Sequence, residues 1–155
     1  MVLKNRVSSS TSEIILALSQ ARSEAIKRGG FTVLCALDAA GEIDGDSPLT
    51  NGWVLLSGTT CKKGPITAST SPLLRHEPLR QLEFCITGAC ASTPLAATDP
   101  APGSIVFHQL GGVMSAEPVV MVLQPQNCVA GKKDLARRIE INQIGRVRSQ
   151  AFNCS

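Results

Sequence analysis

Tyrosine is absent from this 155-residue sequence, tryptophan occurs once and phenylalanine four times. So few rings leave no platform on which unpaired bases could stack, as binders of single strands need. Any contact with nucleic acid must then run through phosphates. An uninterrupted apolar run of eighteen residues is also missing, and no signal-peptide core follows Met1, so no helix here reads as a membrane span. Charged residues are sparse at 17%, while 43% of the chain is apolar, with thirteen glycines and nine prolines. That composition is globular and turn-rich rather than disordered. The length fits one domain and is enough to bury a core.

Enzyme signatures are missing as well. There is no Gly-x-Ser-x-Gly, no Walker loop and no Gly-x-Gly-x-x-Gly, and "GTTCKKG" at 58–64 lacks the loop-then-helix order that cradles phosphate. His76, between Pro72 and Pro78, reads as an exposed loop residue, and His108, between Phe107 and Gln109, as a solvent-facing strand residue. A secreted enzyme using a cysteine or histidine is one alternative, but no base stands in a recognisable pattern with a nucleophile. No cofactor and no metal site are implied. Trp53, opening a strand after Gly52, reads as a core anchor.

Six cysteines stand at 35, 61, 85, 90, 128 and 154, with no Cys-x-x-Cys among them. An even number without metal spacing in a turn-rich domain points to disulfides and an oxidising compartment. The chain then reads as the soluble piece of something longer. Fifteen pairings are possible. Cys85–Cys90, clipping a hairpin, and Cys128–Cys154, stapling the C-terminal strands, are the preferred two.

The N-terminal part carries a helical period. Ile14, Leu18, Ala21 and Ala25 make one apolar stripe, Ser10 with Glu13 has the form of a capping box, and Gly29-Gly30 stops the helix. This predicts a helix over 11–28 behind a flexible N-terminus at 1–9. After Gly30 the period becomes two. Strands are predicted over 31–37, 52–58, 80–87, 103–110, 118–124 and 137–143, each bounded by turn residues, with 88–102 as a loop. No helix-length segment separates them, so the layout is α+β: one helix on an antiparallel sheet or meander, residues 1–155 forming a single domain.

The net charge of +3 is unevenly spread. Residues 130–155 hold six basic side chains against two acidic, and the rest of the chain nine against ten. A basic end on a neutral body suggests a polyanionic partner. Within "INQIGRVRSQ" (141–150), an extended backbone would set Arg146 and Arg148 on one side, about 6.5–7 Å apart, with Val147 turned to the sheet. Gly145 would permit a turn and a close approach. Each guanidinium can grip a phosphate with two hydrogen bonds. Lys132, Lys133, Arg137 and Arg138 would widen the footprint.

The segments "ARSEAIKRGG" (21–30), "NGWVLL" (51–56), "SIVFHQLGGV" (104–113) and "RRIEINQIGRVRSQ" (137–150) resemble, in order, the GspH/FimT family of type II secretion pseudopilins and type IV pilus minor pilins. Leu56 and the acid-free turn after it depart from the family pattern, and 88–102 looks like an insert. The resemblance implies a pilin-like periplasmic head whose hydrophobic N-terminal helix, the inner-membrane anchor, is not in this chain. It further implies other minor and major pilins as partners. FimT-like members carry a Gly-Arg-x-Arg motif, here Gly145, Arg146 and Arg148, linked to binding double-stranded DNA in natural transformation. The alternative within the family is a structural subunit, FimU- or GspH-like, that primes or caps a filament without binding DNA.

Overall fold

The computed structural model describes residues 2–45, 47, 49–67, 72–79, 81–86, 89–91, 104–114, 119–129 and 131–154. Among these residues a long helix, α1 (Val2–Arg28), is followed by nine strands: β1 (Thr32–Ala36), β2 (Trp53–Ser57), β3 (Leu74–His76), β4 (Leu82–Ile86), β5 (Ala89–Ala91), β6 (Ser104–Phe107), β7 (Val119–Pro125), β8 (Ala136–Ile141) and β9 (Val147–Phe152). They form two antiparallel sheets, β3-β2-β1-β6 and β5-β4-β7-β8-β9. The helix packs against β1 and β6 of the first sheet and β7, β8 and β9 of the second. The α+β expectation therefore holds, with the strands divided over two sheets that share one helix.

α1 begins earlier than predicted. Residues 2–9 are helical, which corrects the flexible N-terminus, because the apolar stripe extends two turns further back to Val7, itself fully buried. Arg6 also donates to Gln81 Oε1, just before β4. Ser10 consequently sits inside the helix, buried, and caps nothing. The hydroxyls of this stretch turn back on the helix instead: Thr11 Oγ1 donates to the Val7 carbonyl at 2.7 Å and Ser12 Oγ to that of Ser8 at 3.2 Å. The C-terminus stops as its glycines demand. Gly29 takes φ 63°, Gly29 N–H donates to the Ile26 carbonyl and Gly30 N–H to that of Ala25.

One core joins the three layers. Val7, Ile14, Leu18, Ala21 and Ala25 of α1 meet Leu34, Trp53, Leu55, Ile105 and Phe107 of the first sheet and Leu82, Met121, Leu123, Ile139 and Ile141 of the second. Each fully buried Leu, Ile or Phe contributes roughly 1.5–3 kcal/mol. A second apolar layer, Val33, Cys35, Leu37, Ile43, Val54 and Leu56, covers the far face of the first sheet, so β1 is buried on both faces. This is why its sequence is continuously apolar rather than alternating.

Among the described residues, two disulfides fasten these layers. Cys35–Cys61 ties β1 to the segment covering it (Cα–Cα 5.7 Å), and Cys128–Cys154 ties the C-terminal tail to the β7–β8 loop (5.9 Å). The second is the pairing expected from sequence. Cys85 and Cys90 stand opposite each other in the β4–β5 register, but their side chains lie outside the described residues. So does most of the predicted 88–102 loop, of which 89–91 forms β5.

Candidate polyanion-binding surface

The candidate residues lie on the β8–β9 hairpin at the edge of the second sheet and, for Lys132 and Lys133, in the loop that leads into it. Its turn is built from the sequence upward. Gly145 N–H donates to the Asn142 carbonyl at 2.9 Å, Asn142 N–H to the Arg146 carbonyl at 3.0 Å, and Arg146 N–H to Asn142 Oδ1 at 2.8 Å. Gly145 adopts φ 85°, the left-handed residue that closes a hairpin turn of this length.

Gly145 has a further duty that sequence did not reveal. It is buried, and a Cβ built on it would overlap the carbonyl oxygen of Gly111, in the turn after β6, and reach within 3.2 Å of Arg22 Nε. Arg22 Nε donates to that same Gly111 carbonyl at 3.1 Å, and Val113 N–H donates to the Gln143 carbonyl at 3.1 Å. The helix, the 108–112 turn and the hairpin tip are thus locked together. The close approach that Gly145 permits is an internal one. Nothing in a local pattern points to Arg22, whose partner is 89 residues away.

Arg146 and Arg148 are both exposed, and among the described residues neither joins an ion pair. They do not act as the parallel pair expected from strand alternation, since β9 starts only at Val147 and Arg146 belongs to the turn. Val147 packs against the core, as expected. Arg148 lies opposite Glu140 in the register and borders a shallow polar depression with Arg138, Glu140, Ser149 and Gln150. Arg146 instead borders a depression against α1, with Ile15, Ser19, Arg22, Ser23 and Ile26.

The remaining cations are spread along the hairpin. Arg138 NH1 lies 3.2 Å from Glu140 Oε2, so its charge is partly answered. Arg137, the next residue, points to the other face by alternation and is half-buried. Lys132 and Lys133 are exposed in the β7–β8 loop, where Cys154 N–H donates to the Lys132 carbonyl at 3.0 Å. The β8–β9 ladder, five register steps or about 17 Å long, separates that end from the tip. The structure therefore brings Arg138 and Arg148 together, sets Arg146 round the corner from them, and leaves the lysines at the far end.

The histidines have other engagements. His76 is in β3, not a loop; it stacks on buried Trp53 (ring centroids 4.1 Å apart, 14° between planes), and its Nε2 lies 3.4 Å from Glu13 Oε2. His108 lies in the turn after β6, half-buried rather than solvent-facing, and its Nδ1 accepts the Leu110 N–H at 3.1 Å. Among the described residues no three His, Cys, Asp or Glu gather as a metal site would require.

The sequence model of the family described as type II transport protein GspH matches residues 10–145. The chain belongs to the GspH family. As a GspH-family protein it is a minor pilin or pseudopilin, structural rather than enzymatic. The match stops at Gly145, so Arg146 and Arg148 lie just beyond it. The fold of this GspH-family chain is similar to that of the type IV minor pilin FimU of Pseudomonas aeruginosa in two crystal forms. One matches with 21% identity, a TM-score of 0.63, and coverage of 97% of this chain and 94% of that one; the other with 19%, 0.64, and 96% and 97%. It is similar too to the minor pseudopilin EpsH of the Vibrio cholerae type II secretion system (19% identity, TM-score 0.55, 98% of each chain). The comparison with curated proteins gives no match.

Proposed function

We propose that this GspH-family head is a type IV pilus minor pilin that binds double-stranded DNA without sequence preference and supports DNA uptake in natural transformation. The observation that carries the reading is the exposure of Arg146 and Arg148, without ion-pair partners among the described residues, on a hairpin held rigid at both ends. A fixed guanidinium displaces condensed counterions from a duplex, and their release drives association. The edge from the tip to Lys132 and Lys133 would run along about 17 Å of duplex, over which B-DNA offers roughly ten phosphates. Arg137 and Arg138 assist more weakly, one half-buried and the other paired to Glu140. A single head is expected to bind with Kd on the order of 10⁻⁴–10⁻⁶ M, and display on a filament anchored at the inner membrane among other pilins adds avidity.

Electrophoretic mobility shift tests this. Wild type should retard duplexes of unrelated sequence alike, and Arg146→Ala and Arg148→Ala should each weaken binding several-fold. The double variant should lower the log–log salt slope by nearly two. A double variant that shifts DNA as wild type does would remove the arginines from the function. The structural reading, in which the head primes or caps a pilus or a type II pseudopilus, draws support from Leu16 and Ile26, apolar and at least half exposed on α1. It predicts lost filament assembly on Leu16→Glu with DNA retardation intact.

A further inference from the structure

We propose that the depression between α1 and the β8–β9 turn is an anion site that seats a phosphate group, with Arg22, Ser19 and Ser23 joining Arg146 as its ligands. These residues occupy a stripe of α1 directly beside the buried one, at 15, 19, 22, 23 and 26, and face Gly145, Arg146 and Val147 across a cleft of about 360 Å³. Two guanidiniums and two hydroxyls border it, and among the described residues no carboxylate does. Glu24, the nearest acid in sequence, does not line the cleft; it borders a neighbouring groove that Ser19 and Ser23 also line, and is paired with Arg28. Two like charges sharing one cleft repel each other until an anion enters between them.

Arg22 is suited to this by its second bond. Its Nε is held by the Gly111 carbonyl at 3.1 Å, which fixes the guanidinium plane and leaves its remaining N–H donors for a ligand. A ligand of this kind pays less to order its receptor. Ile15 and Ile26 wall the cleft and lower the local dielectric, which strengthens charge-assisted hydrogen bonds. That the anion is a DNA phosphodiester rests on the function proposed above; the site itself does not.

Replacing Arg22 would also undo its grip on Gly111, so the test uses exposed serines. Ser23→Glu places a carboxylate in the cleft, while Gln20→Glu makes the same charge change on an exposed helix position outside it. With a 12-base-pair duplex, Ser23→Glu should weaken binding about fivefold or more and reduce the salt slope by about one, and Gln20→Glu should do much less. Equal losses in the two variants, with Arg148→Ala still impaired, would overturn the cleft and leave the DNA reading standing. Should wild type bind no duplex, the DNA reading fails, and NMR titration with inorganic pyrophosphate decides the cleft alone. Shifts gathered on Ser19, Ser23 and the Arg22 Nε–H support it, and their absence or dispersal overturns it.

Discussion

A single residue, Gly145, shows how a motif can serve the fold while its neighbours serve a partner. Its φ of 85° and its contact with the Gly111 carbonyl each exclude a side chain. Gly145→Ala is expected to cost about 1–3 kcal/mol, read as a lowered thermal midpoint. It should also free the tip from α1, visible as loss of amide-exchange protection at Val113, whose N–H bonds to Gln143. Glycine at this place was legible in the sequence as a turn. Its docking against Gly111 was not, because a contact between two loops leaves no period and no motif. Arg22 escaped for the same reason, while Arg146 and Arg148 stood out because their spacing is local.

At the scale of elements, periodicity carried what it usually carries. The stripe Ile14, Leu18, Ala21 and Ala25 foretold the buried face of α1, and all six predicted strands are present, four with shorter bounds and the other two, β7 and β8, displaced by a residue or two. The start of α1 was misread because Ser10 and Glu13 imitate a cap, whereas burial of Val7 and Ser10 carries the helix through them. β3 and β5 are three residues each, too short to show alternation. The last turn of α1 offers a pH test. Arg28 Nε donates to Glu24 Oε2 at 2.9 Å, and that hydrogen bond, helped by the charges of Lys27 and Arg28 and opposed by desolvation, holds the Glu24 carboxyl below its ordinary 4.5. A lowered carboxyl stabilises the folded state above its unfolded value, and the contribution disappears as pH falls through the folded one. NMR titration should therefore find Glu24 below 4.5 in wild type and moved up towards it in Arg28→Ala, with only a small change in overall stability for so exposed a pair.

At the scale of the molecule, the two disulfides among the described residues divide the work between the sheets. Each spans 26 residues, and closing such a loop in the unfolded chain is worth about 3.5 kcal/mol on the chain-entropy estimate. Replacing Cys128 and Cys154 by serine should lower denaturant stability by an amount of that order and unprotect β9 amides before those of β1. Replacing Cys35 and Cys61 should reverse that order. Hydrogen exchange on the two variants checks it.

The position of Cys154 has a mechanical consequence. Among the described residues β9 is bonded to the sheet along one side only, and a strand so placed peels from its free end one pair at a time under tension. The covalent stitch to Cys128 closes that end, and the wedge of Gly111 against Gly145 closes the other. A cargo pulling on this edge would therefore have to shear all the rungs at once, and the hold would outlast a tug that unravels an unstitched hairpin.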